Sequence, residues 1–203
     1  MSEHEDNETL EELKSENYHS DKVYTDLQFD QFNIEEHTFE NCRFISCRFN
    51  SVSLRGVSLF SCSFENCELI LVKTDDLTLN SVLFTGSKIM GINFAMCGKF
   101  GFLPHFENSL LESVVFSGNS LKKVNFIGCQ IRTTDFENCD LKEADFSTSV
   151  FRGSNFNRCS LEKADFRTAT GYEINPFNNK LSKARFSLPE AQSFLQFLGI
   201  ELD

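Results

Sequence analysis

The residues that could do chemistry in this 203-residue chain are eight cysteines, four histidines and a few neighbouring carboxylates. Thiolates and imidazoles together would hold zinc, and such sites show as C-x-x-C or a related short spacing. No C-x-x-C occurs. Cys42 and Cys47 are five residues apart, as are Cys62 and Cys67, and the two pairs are offset by twenty. Cys139 and Cys159 repeat the offset of twenty, while Cys97 and Cys129 stand singly. His4, His19, His37 and His105 are scattered. Asp75/Asp76 and Asp145/Asp165 could pair for acid–base work, but no G-x-S-x-G, H-E-x-x-H, Walker or Rossmann pattern accompanies them. The reading is a non-enzymatic protein with no catalytic residue, no cofactor and no metal.

Spacings of five and twenty say more about architecture. Stepping by five from Tyr24 lands on Phe29, Ile34, Phe39, Phe44, Phe49, Leu54, Leu59, Phe64, Leu69, Thr74, Leu79, Phe84, Ile89 and Phe94. A second series runs from Phe106 through Leu111, Phe116, Leu121, Phe126, Ile131, Phe136, Leu141, Phe146, Phe151, Phe156 and Leu161 to Phe166. Of these slots only Thr74 is not apolar. Two residues before each slot the residue is small: Cys42, Cys47, Val52, Val57, Cys62 and Cys67, and later Val124, Cys129, Cys139, Ala144, Ser149, Ser154, Cys159 and Ala164. The other three positions are mostly polar. A period of five fits neither the helical 3.6 nor the strand period of 2. It fits a coil with short sides and tight corners, each side sending one large and one small residue inward.

FENCRF, CSFENCEL, CDLKEADF and CSLEKADF resemble the A-(D/N)-(L/F)-x-x unit of the pentapeptide-repeat proteins, over roughly residues 24–186. The resemblance implies an all-β solenoid, a right-handed quadrilateral β-helix with four pentads per coil and a short C-terminal capping helix. Twenty-eight slots then make about seven coils, roughly 34 Å of stack at ~4.8 Å per coil. In that coil Cys42 lies under Cys62, Cys47 under Cys67 and Cys139 under Cys159. α-Carbons at about that separation could accept a disulfide. Core packing is the expectation, because a cytoplasmic chain keeps its thiols reduced; bridges and zinc are the alternatives.

The expected organisation is an acidic N-terminal tail (1–22), the repeat array (23–186) and a C-terminal capping helix (187–203). Between Phe94 and Phe106 lie twelve residues where the period demands ten. Gly98, Gly101 and Pro104 suit a bulge near 95–105. It is either a register repair or a partner contact, with Lys99, Phe100, Phe102 and His105 as the candidate contacts. A loop is expected near 170–180. Ser187-Leu188-Pro189-Glu190 reads as a capping box, followed by Ala191, Phe194, Leu195 and Leu198 at helical spacing and Gly199 at a helix end. Phe194, Leu195 and Leu198 are candidates for covering the last coil, or for pairing with a second copy in a homodimer. In the N-terminal twenty residues Leu10 and Leu13 could support a helical turn, but a mobile tail is expected.

The net charge of −11 is concentrated at one end. Residues 1–30 carry ten acids and two bases, a net of −8, and residues 31–203 carry twenty acids and seventeen bases, a net of −3. Neither a basic nucleic-acid track nor a continuous acidic face is expected on the array. No apolar run is long enough to span a membrane, and the N-terminus is acidic where a secretory signal is basic, so a soluble cytoplasmic protein is expected. The resemblance also reaches the Qnr quinolone-resistance proteins, dimers whose acidic surface imitates duplex DNA and which bind type II topoisomerases. It implies DNA gyrase or topoisomerase IV as a protein partner. Because the array is nearly charge-balanced, the expected function is a repeat-built interaction scaffold with an unknown protein partner and no direct nucleic-acid or membrane contact, and topoisomerase binding is the alternative.

Overall fold

In a computed structural model of the protein, residue 13, residues 15–29 and residues 33–199 are described. Every strand pairs in parallel with the one a full turn away, and four walls of short strands wind into a solenoid of about eight turns. The first wall begins with Tyr18–Ser20, Thr38–Glu40, Ser58–Phe60 and Thr78–Asn80. The second stacks Val23–Thr25, Arg43–Ile45, Ser63–Glu65, Val82–Thr85, Pro104–Glu107 and Phe126–Ile127. The third stacks Arg48–Asn50, Glu68–Ile70, Lys88–Met90, Leu110–Glu112, Gln130–Arg132 and Val150–Arg152. The fourth consists of single bridges such as Ser53 with Lys73 and Val115 with Asp135.

Register follows the period. Phe44 pairs with Phe64, and Phe64 with Phe84. Past the insertion the offset becomes twenty-two, Phe84 pairing with Phe106, and then returns to twenty, Phe106 pairing with Phe126. The rings follow the backbone. Phe126 lies 5.2 Å from Phe106 and 4.8 Å from Phe146, centroid to centroid, each near-parallel. The fourth wall has its own column, with Phe116 5.3 Å from Phe136. Thr74, a polar residue in an axial slot, is buried and donates its hydroxyl to Asn93 O at 2.6 Å.

Corners fall two residues after most axial slots, with φ between +45° and +64° at non-glycine residues from Asp21 to Lys183. Asn, Asp and Ser fill many of these positions because they tolerate the left-handed region better than most residues. At Gly171, φ +72°, a Cβ would run into the carbonyl oxygen of Phe151, so the chain can turn there only as glycine.

Three expectations change. The array starts earlier than residue 23, because Tyr18–Ser20 pairs with Thr38–Glu40 and His19 takes an axial place under Phe39, ring centroids 4.7 Å apart. A histidine in that slot hid the first coil from an apolar period and made eight turns look like seven. Leu13 is buried in the core, whereas Leu10 and the rest of 1–12 lie outside the described residues. At the other end Glu190–Leu198 forms a 3-10 helix ending at left-handed Gly199, but the capping box does not form. The Ser187 hydroxyl accepts from Thr168 N and the Glu190 carboxylate from Gly171 N, so both bind the coil above instead of the helix start.

Candidate interaction surface

The cysteines settle into a structural role that their small size alone did not reveal. Many of the small inward residues reach the carbonyl of an axial residue in the preceding coil, twenty-three positions earlier or twenty-five across the insertion. Cys62 Sγ donates to Phe39 O at 3.3 Å, Cys67 Sγ to Phe44 O at 3.2 Å and Cys139 Sγ to Phe116 O at 3.2 Å. Hydroxyls do the same at other levels, Ser87 to Phe64 O at 3.0 Å and Ser154 to Ile131 O at 3.1 Å. Asn119 Nδ2 serves Phe94 O at 2.9 Å. Where Cys, Ser or Asn fills it, the slot is therefore a donor slot, giving a buried carbonyl of the neighbouring coil a side-chain partner.

Burial makes four of these thiols poor nucleophiles. Burial pushes Cys97, Cys129 and Cys139 up to about 12 and Cys159 to about 11. Within the stacked pairs Cys42 and Cys47 are drawn down by hydrogen bonding with Cys62 and Cys67, which are themselves pushed up. None of the eight is more than 3% exposed, and all are free thiols. Among the described residues no three His, Cys, Asp or Glu side chains gather as metal ligands. Among those residues no helix is long and apolar enough to cross a membrane.

On the outside, charges alternate from coil to coil. Glu143 lies between Lys123 at 4.0 Å and Lys163 at 3.6 Å, Lys142 meets Glu162 at 2.7 Å, and Arg132 meets Glu112 at 3.9 Å. Higher in the stack Arg43 bridges to Glu65 and Arg48 to Glu68. Asp165, stacked on Asp145, is compensated by Arg167 at 2.7 Å and Arg185 at 3.7 Å. Hydrogen bonding from Arg167 holds its carboxyl below the ordinary range. Acidic and basic groups are interleaved along these columns.

One place breaks the pattern. Gly98 N still donates to Leu77 O at 3.0 Å, and Leu103 N donates to Leu79 O at 2.7 Å. Between them the chain leaves the first wall, which resumes only at the bridge of Ser120 with Asp140. The four candidate contacts separate here. Phe102, 7% exposed, turns inward and lies 6.2 Å from the Phe94 ring, so it repairs the core. His105 is half-buried, and its Nδ1 accepts from Asn125 N at 3.1 Å. Burial lowers its pKa. Phe100 stands 93% exposed. Lys99 is exposed beside it, its Nζ donating to Ala95 O at 3.0 Å and to Asn119 Oδ1. Register repair and surface display are thus both present, on different residues of one insertion.

At the C-terminal end Phe194 is half-buried, edge-on to Phe186 at 4.8 Å, and Leu195 is half-buried. Leu198 is exposed, together with Leu188 and Phe177. Phe194 acts as cap, while Leu198 faces outward.

The family model described as a pentapeptide repeat region matches residues 103–171. That stretch is a pentapeptide-repeat region. Solved structures extend the likeness to most of the chain, so its fold is the pentapeptide-repeat β-helix. HetL, a pentapeptide-repeat protein involved in heterocyst differentiation regulation in the cyanobacterium Nostoc sp. strain PCC 7120, is similar with a TM-score of 0.67 and 14% identity, over 88% of this chain and 91% of that one. A trypsin-treated variant of QnrB1, a plasmid-mediated fluoroquinolone resistance protein, is similar with a TM-score of 0.62 and 14% identity, over 92% of this chain and 100% of that one. At that identity the likeness is one of fold. No curated protein matches the sequence.

Proposed function

We propose that the chain is a non-enzymatic, repeat-built scaffold that binds a protein partner at the interruption of its first wall. The observation that carries this reading is Phe100, an aromatic ring almost wholly in water at the tip of the array's register insertion. A regular solenoid has no structural use for such a ring, and the register is already repaired by Phe102. Buried aromatics are the usual energetic anchors of protein interfaces. The setting is cytoplasmic, where free thiols persist, and the partner is a protein rather than nucleic acid or membrane.

Capture from the protein's own cells, comparing the wild type with Phe100→Ala and with Gln130→Ala, tests this. A protein retained by the wild type and Gln130→Ala but lost with Phe100→Ala supports the reading. Identical captured sets contradict it.

The alternative is imitation of duplex DNA at a type II topoisomerase, suggested by the likeness of fold to QnrB1. It requires negative charge spread in register along the stack, because a DNA groove neutralises many phosphates at once. The interleaved ion pairs weigh against it. Pairing of two copies through the C-terminal end is a separate proposal, supported by exposed Phe177, Leu188 and Leu198 around the cap.

A further inference from the structure

Where the first wall is interrupted, a cleft of about 310 Å³ opens between Asn80 above and Ser120 and Lys122 below, with Lys99 and Gly101–Leu103 at its side. Three features bear on what it could hold. First, backbone donors are unspent: among the described residues the amides of Lys99, Phe100, Gly101 and Phe102 donate to no backbone carbonyl. Left-handed Gly101, φ +66°, packs so closely under the Asn80 side chain that a Cβ would lie 2.7 Å from its Nδ2. Second, two ammonium groups line it. Lys122 is partly neutralised by Asp140 at 3.2 Å. Lys99 is held only by neutral oxygens, those of Ala95 and Asn119, and an ammonium has three donors, so one N–H is left over. In a chain of net charge −11 this is a local excess of fixed positive charge. Third, the Phe100 ring stands exposed next to Lys99.

We propose that this cleft receives a short extended acidic segment of the protein partner, one carboxylate on Lys99 and the insertion's amides and a neighbouring apolar residue against Phe100. This rests on the scaffold reading and specifies its partner's chemistry. A carboxylate supplies what the cleft lacks, an acceptor able to take several N–H bonds at once, and charge-assisted bonds of that kind are about twice as strong as neutral ones. An extended segment fits because the missing piece of wall is itself extended. A free small anion would leave Phe100 unused.

The test is fluorescence anisotropy with the full-length protein at low salt and a labelled peptide, Ser-Glu-Glu-Leu-Glu-Ser, beside the analogue with every Glu replaced by Gln. The acidic peptide is expected to bind, and the Gln analogue to bind roughly tenfold more weakly or not at all, the loss of about one charged contact. Lys99→Gln should weaken binding by roughly the same factor, and Phe100→Ala by a smaller one. Lys163→Gln, which removes a lysine already paired with Glu143, should bind as the wild type does. All variants change exposed side chains, and unchanged melting temperatures will show that they fold. Equal binding of the two peptides, or wild-type binding by Lys99→Gln, overturns the proposal. So does displacement of the peptide by an equal concentration of sodium glutamate, which would make the cleft a simple anion site. A cellular partner that depends on Phe100 while the acidic peptide fails to bind would remove this inference and leave the scaffold reading standing.

Discussion

Phe126 and Gln130 are four residues apart and belong to opposite sides of the chain. Phe126 is fully buried between Phe106 and Phe146, whereas Gln130 is exposed. Phe126→Ala should cost about 3–5 kcal/mol, since a stacked column cannot collapse into the void. Gln130→Ala should stay within ~0.5 kcal/mol. Chemical denaturation of the two variants measures the difference, and equal midpoints would refute the inward and outward assignment. Cys67 offers a finer test. It donates to Phe44 O, and the equivalent residue one coil on, Ser87, donates to Phe64 O and accepts from Cys67 N at 3.0 Å. Cys67→Ser should therefore be nearly neutral, while Cys67→Ala should cost about 1 kcal/mol by removing the Sγ bond to Phe44 O. If only size mattered, the two variants would cost about the same. The axial residues were legible in the sequence because period five leaves no other use for so many Phe and Leu. The donor function of the slot two before them was not: Cys, Ser, Ala and Val share small volume, and only the stacking geometry separates those that reach a carbonyl.

Elements differ in how far local rules fixed them. Strands and corners follow the pentad so closely that the register could be counted along the chain, and the two-residue excess near Gly98 marked the insertion correctly. Which of its aromatics turned inward was not readable, because Phe100 and Phe102 have the same chemistry and differ only in their distance from Pro104, where the second wall begins its next strand. The ends were least legible. Ser187 and Glu190 have the right types for a capping box, but tertiary partners at Thr168 and Gly171 took both side chains. His19 and His37 sit in the first coil, both buried, with Nε2 of His19 3.1 Å from Nδ1 of His37. Burial lowers the pKa of His37, so the folded protein resists its protonation. Stability from this group is complete above the ordinary histidine pKa of about 6.5 and is lost as pH falls below it. His105, lowered in the same way, adds to the effect. The melting temperature should therefore drop between about pH 7 and pH 5. His37→Gln should flatten that dependence as well as shift the curve. A slope unchanged in the variant would mean that the first coil does not carry it.

Across the whole molecule a solenoid distributes its stability, each coil contacting only its neighbours, and its surface is a lattice in which every column can be varied independently. Here several columns set opposite charges against each other, although Arg132 stacks on Arg152 and Asp145 on Asp165, and the ion pairs between coils are exposed and contribute little individually. Their consequence is electrostatic: these columns present no long field of one sign, and most of the net negative charge belongs to residues 1–30. Recognition then has to come from an interruption rather than from the repeat. The comparison that tests this most directly is equilibrium binding of the purified protein to DNA gyrase near physiological salt, with the full chain and with a form lacking residues 1–12, which spares the first strand at Tyr18–Ser20. Weak or undetectable binding by both forms, with little protection of the enzyme from fluoroquinolones, is the predicted result; tight binding that survives the truncation and brings strong protection would contradict it.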